Sequence, residues 1–206
     1  MTREKQIILT ARVVSIVFTP FYLPLLGLMA LFFLSYLRQY EPAYKFFVLA
    51  IVYFFTILLP TFLIHLYRRY QGWSLLELGI RERRVVPYLI SILCYFTCLY
   101  IMEQMHIPYF MRSIVVSALI IQIVCALINV WWKISTHTAA IGGVAGALYV
   151  FSEVFRFNPM WWTCLVLIIA GVLGCSRMIL RQHTLSQVVV GFVTGVICAI
   201  VGIIYL

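Results

Sequence analysis

The chain has 206 residues, 65% of them apolar and only 10% charged, with a formal net charge of +9. So much apolar surface excludes a soluble globular domain and a disordered chain, because both need far more polar side chain. The basic residues stand in short stretches beside apolar runs rather than in a separate basic domain, which argues against nucleic acid and for membrane topology and an anionic ligand. No polar stretch is long enough for a linker or a soluble domain, so residues 1–206 read as a single integral membrane domain of the all-α class.

In chain order, the opening "MTREKQIILTARVV" places charge ahead of an apolar run that continues to Leu37 without a signal-type cleavage site, and so reads as a retained first span. A transmembrane helix needs roughly 20 mostly apolar residues. The candidates are about 13–37, 44–66, 87–104, 113–132, 138–155, 160–177 and 186–206, a bundle of six to seven spans, six if the first two form a re-entrant hairpin. The fifth is the least apolar, with Gly142, Gly143, Gly146 and Glu153; its "GGVAG", like Gly191 and Gly195 in the last span, predicts close helix packing. All six cysteines fall inside apolar segments and read as small hydrophobes. The tryptophan pairs at 131–132 and 161–162 suit membrane–water interfaces.

Each complete span carries the chain to the opposite face. Two spans separate "RERRVVP" (81–87) from "WWKISTH" (131–137), and two more separate that from "SRMILRQH" (176–183), so all three polar clusters reach one face. In the seven-span reading that face also holds the N-terminus, with eleven of the fifteen basic residues; Arg38, Lys45, Arg112 and Arg156 lie opposite. By the positive-inside rule it is cytoplasmic. Discounting Arg81, Arg84, Lys133, Arg177 and Arg181 as ligand-binding charges leaves six against four, so the orientation stays open.

The chain contains no aspartate, and its six glutamates form no pair with metal-ligand spacing, so neither a metal nor another cofactor is expected. Alone, Arg81 and Arg84 read as topology-setting charges, with Pro87 suited to the first turn of the next span. Lys133, Ser135 and His137 stand just ahead of an apolar helix, where free backbone N–H groups favour an anion, and alone they read as an interfacial cap. Ser176 and Arg177 close one span, His183 stands ahead of the next, and Gln187 follows four residues later, on the same face if the helix starts early. Together they supply fixed positive charge for a phosphate, one histidine to attack phosphorus and another to protonate a leaving oxygen.

These residues resemble the type-2 phosphatidic acid phosphatase superfamily, related to vanadium haloperoxidases. Its third motif, S-R-x5-H-x3-D, is matched by Ser176, Arg177, His183 and, in place of the aspartate, Gln187. Its second, P-S-G-H, has Ile134, Ser135, Thr136 and His137 as its counterpart, while "RERRVVP", with Arg81, Arg84 and Pro87, is a variant of the first motif, K-x6-R-P. The family-like region runs from about 81 to 200. The resemblance implies that His183 is the nucleophile, that His137 protonates the departing group, and that Gln187 orients His183. It further implies that Arg177, Arg84, Arg81 and Lys133, helped by Ser135 and Ser176, hold the phosphate without a metal.

The implied function is a membrane phosphatase or phosphotransferase acting on a phosphorylated lipid, such as a polyprenyl phosphate or diphosphate or phosphatidic acid, through a phosphohistidine. The other class left open is a non-catalytic descendant that binds or moves a phospholipid. An intramembrane prenyltransferase would want aspartate-rich metal sites, and a proton-coupled transporter would have to use Glu103, Glu153 and His65. The expected setting is a multi-pass protein of a bacterial cytoplasmic membrane; lipid identity, site face and oligomeric state are not specified by the sequence.

Overall fold

The structure, a computed structural model, describes residues 3–34, 39–72, 83 and 85–205. Arg81 and Arg84, the expected cations of the first cluster, lie outside the described residues. Among the described residues there is no strand, and seven helices are long and apolar enough to cross a membrane. The first two candidate spans are two helical stretches, Arg3–Phe33 and Pro42–Tyr70, each long and apolar enough to cross a membrane by itself.

The first crossing starts ten residues earlier than the apolar run suggests and is broken. It consists of α1 (Arg3–Val17), a 3-10 turn at Pro20–Tyr22, and α2 (Leu23–Leu34). The break has a local cause: Thr19, ahead of Pro20, is extended (φ −62°, ψ 138°), as residues preceding proline tend to be, and Pro20 has no N–H to continue the ladder. The second crossing joins α3 (Pro42–Tyr53) to α4 (Leu59–Tyr70) through a π turn at Phe54–Leu58, in which the Leu59 N–H reaches back to the Phe54 carbonyl. Pro60 follows at once; a wider turn relieves the clash between a proline ring and the carbonyl four residues back.

The remaining crossings are unbroken: α5 (Val85–Gln104), α6 (Tyr109–Trp131), α7 (Thr136–Phe155), α8 (Met160–Ile179) and α9 (Leu185–Ile204). Hydroxyl side chains along the spans bond their own helix, as in Ser91 to the Pro87 carbonyl and Ser117 to the Ser113 carbonyl, the economical solution where no water is at hand. The outward surface is apolar, with Phe46, Phe96 and Ile168 exposed, and Trp131 and Trp161 stand exposed at opposite ends of the bundle, where interfacial aromatics belong.

Helix α7 is the hub, packing on α6, α8 and most extensively on α9. The α7–α9 contact runs through glycine. A β-carbon on Gly195 would strike the Ala139 carbonyl, one on Gly142 the Phe192 carbonyl, and one on Gly191 would come within 2.7 Å of the Ser135 carbonyl. These positions need glycine because the two backbones touch there, as the "GGVAG" and Gly191/Gly195 patterns predict. Helix α8 is covered on one side by α1, so the N-terminal crossing folds back against the helix that carries Arg177.

Candidate active site

The site is assembled at the end of the bundle where α7 and α9 begin and α8 ends. Ser135 is the N-cap of α7: its hydroxyl oxygen accepts from the Thr138 N–H (3.4 Å), and the Thr138 hydroxyl returns a bond to the Ser135 carbonyl (3.1 Å). Both residues are fully buried, so this cap is an interior feature rather than a solvated helix end. Thr136 and His137 open the helix, where N–H groups without helical partners and the helix dipole give a positive environment.

His183 lies just before α9 and is buried. It therefore does not share a helical face with Gln187, as the four-residue spacing suggests; the two meet through the cap. Thr184 is the N-cap and Gln187 the third helical residue, and each satisfies the other's backbone in a capping box. Within it, Gln187 Oε1 accepts the Thr184 backbone N–H (3.3 Å) and lies 3.1 Å from His183 Nδ1. A backbone N–H can only donate, so it identifies the amide atom at this point as oxygen. Nδ1 must then carry a hydrogen, which leaves the lone pair of the neutral ring on Nε2.

Two features tie the halves of the site together. The Ser135 N–H points at the Gln187 carbonyl (3.4 Å), joining the α7 cap to the first turn of α9. Arg177, in the last turn of α8 and only 6% exposed, donates through Nη1 to the Ser15 hydroxyl of α1. Ser15 is itself buried and belongs to no pattern in the sequence reading; its one signal was a polar residue inside the apolar run "RVVSIVF". Ser176, beside Arg177, is also buried and spends its hydroxyl proton on the Val172 carbonyl (2.8 Å) of its own helix. Lys133 is half-buried ahead of the Ser135 cap, and Arg181 is exposed in a left-handed turn (φ 51°) that ends α8.

Thr136, His137 and Arg177 stand at one end of a partly open cavity of about 390 Å³, within the usual size of ligand sites. Its wall on α7 follows His137, Ala140, Val144, Ala147 and Phe151, one stripe of the helix. The far end at Phe151 is roughly 20 Å from His137 along the axis. Opposite stand Tyr88, Ser91 and Tyr95 of α5, Ile121, Gln122 and Cys125 of α6, and residues of the bent first crossing from Thr19 to Leu31. His183 is not part of this wall; it is connected to it through Gln187 and Ser135, the residue before Thr136.

The residues of the transporter reading are not brought together. Glu103 is exposed and pairs with Arg112 at the far face, Glu153 is exposed at the end of α7, and the exposed His65 bonds Arg68 (3.1 Å) on α4.

Residues 129–206 match the model of the PAP2 superfamily. The match contains Ser135, His137, Ser176, Arg177, His183 and Gln187, and begins after the cluster at 81–87. Neither the curated proteins nor the solved structures contain a significant match to this chain.

Proposed function

We propose that this chain, a member of the PAP2 superfamily, is an integral-membrane phosphatase or phosphotransferase that acts on a phosphorylated lipid through a phosphohistidine. Its membership supports phosphatase-type chemistry on lipid phosphates. The observation that carries the finer reading is the tautomer of His183: Gln187 Oε1, anchored by the Thr184 N–H, requires hydrogen on Nδ1 and leaves Nε2 as the nucleophile.

The proposed reaction follows from these groups. The phosphate enters at the mouth formed by Thr136, His137 and Arg177 while the apolar chain lies in the cavity. Arg177, held by Ser15, balances the charge on the phosphate oxygens, with Lys133 and the N-terminal end of α7 as further positive groups. His183 Nε2 attacks phosphorus, the bond to the leaving oxygen breaks, and His137 donates a proton to that oxygen. Water, losing a proton to His137, then attacks the phosphohistidine; the N–P bond breaks, inorganic phosphate leaves and both histidines are restored. An alcohol in place of water gives phosphotransfer. Gln187 holds the ring but brings no negative charge, so it orients the nucleophile without stabilising an imidazolium.

The test is phosphate release by the purified protein in detergent, with chelator present, across polyprenyl diphosphates, phosphatidic acid and other phosphorylated lipids, beside His183→Ala. Chelator-resistant release that disappears in the variant is the expected result. Retained lipid binding without release from any substrate would instead identify a phospholipid-binding descendant.

A further inference from the structure

A second set of polar groups gathers at the end of α4. Arg68 and Arg69 belong to its last turn, and with His65 and Gly72 they line an open pocket that shares no residue with the cavity. The chemistry of this pocket is one-sided. Arg68 Nη2 lies 3.1 Å from His65 Nδ1, and a guanidinium can only donate, so Nδ1 holds the lone pair and Nε2 the hydrogen. With that acceptor nitrogen engaged, the side chains offer only donors: His65 Nε2–H, the remaining N–H groups of Arg68 and those of Arg69. Neither arginine is paired with a carboxylate among the described residues.

The surface leading to the pocket is apolar. Phe62, His65, Leu66 and Arg69 are spaced i, i+3, i+4 and i+7, which places them on one face of α4, and all four are exposed. Leu66 and Phe62 therefore lie about one and two turns inward from the basic end. On a helix apolar enough to cross a membrane, these two face hydrocarbon while the donors stand at headgroup level, beside the exposed Tyr70. Basic side chains that only set topology need neither a shared pocket nor an imidazole held in one tautomer.

We propose that the end of α4 binds an anionic phospholipid: the headgroup phosphate accepts from Arg68, Arg69 and His65 Nε2–H, while an acyl chain lies along Leu66 and Phe62. A phosphodiester supplies acceptor oxygens and negative charge, and its chains leave it on the hydrocarbon side, so charge and order both match. A free anion matches the donors alone. A zwitterionic lipid carries the same phosphate but brings a cation against the arginines. The site takes no part in bond breaking, and melting reads it without turnover, so the outcome is independent of the phosphatase reading.

The test titrates the full chain in detergent with dioleoylphosphatidylglycerol and with dioleoylphosphatidylcholine, which share chains and phosphate and differ in headgroup charge. Half-saturating concentrations are read from the rise in melting temperature. The anionic lipid is expected to half-saturate at about tenfold lower concentration, an effect within what two arginines at a lipid surface supply. In the double variant Arg68→Gln, Arg69→Gln the ratio should fall to about two or less. In Lys5→Gln, Arg12→Gln, which removes the same charge from exposed positions of α1, it should stay at about tenfold. Equal affinity of the wild-type chain for the two lipids overturns the proposal, as does a preference that the α4 variant keeps, since the lipid then sits elsewhere. An equal loss in both double variants marks unspecific attraction to positive charge and overturns it too. So does a melting rise with inorganic phosphate that equals the lipid's and disappears in the α4 variant, because the site then takes the ion without the chain. If the α4 variant does not fold, Arg69→Gln alone, at an exposed position, decides by the same comparison.

Discussion

Helices α7 and α9 meet backbone to backbone, with Gly142 and Gly195 at the contact, whereas the first two crossings are bent at Pro20 and Pro60 and present large side chains to the rest of the bundle. The first region holds His137 and His183, and the family match covers it whole; the second lies outside the match yet supplies one wall of the cavity and, through Ser15, a partner for Arg177. The contrast teaches a division of labour. Reacting atoms must be held to within a fraction of an ångström, which closely packed straight helices do well. A cavity needs space, and the proline-broken first crossing, which lines it from Thr19 to Leu31, provides it by departing from close packing.

The largest effect expected of this division is on the nucleophile. His183→Ala should lower phosphate release roughly a thousandfold or more while the protein still folds and melts cooperatively, because in the proposed reaction this residue is the nucleophile. Release surviving in that variant would break the comparison at its centre. Next comes the backbone contact itself. Gly195→Val must push α9 off the Ala139 carbonyl, and we expect a stability loss of about 3 kcal/mol or failure to accumulate, read as melting in detergent.

Gln187 tests whether the α9 cap and the chemistry share one residue. Gln187→Leu removes both the His183 contact and half the capping box; kcat should fall about a hundredfold, with a stability loss of about 1 kcal/mol. Gln187→Asp keeps an oxygen at both contacts and should retain or raise turnover. A smaller effect belongs to the second region: Ser15→Ala should raise KM for the phosphorylated lipid about fivefold, and Ser15→Thr should restore it, since the hydroxyl that receives Arg177 is then present. The smallest sharpens the glycine argument. Gly171, on α8, has nothing within 4 Å of where a β-carbon would stand, so Gly171→Ala should leave activity unchanged and melting the same or slightly higher.

The apolar runs were enough to read an all-helical bundle with about seven helices long enough to cross a membrane, because burying backbone in a bilayer leaves a chain of this composition little besides helices. The glycine patterns were legible for a related reason: close backbone approach admits only the smallest side chain. The pairing of His183 with Gln187 was legible as a spacing but not as a geometry. The contact depends on the helix starting at Thr184, and the backbone N–H that identifies the amide oxygen belongs to the cap rather than to the motif. Ser15 was not legible at all, since it stands 162 positions from Arg177 along the chain and no local periodicity links them. The same holds for the cavity. That α5, α6, α7 and the bent first crossing surround one space depends on which helices pack together and in what rotation. Hydropathy sets the number and length of the helices because transfer into lipid acts on each segment separately; their mutual arrangement is decided by contacts between segments, which only the folded bundle contains.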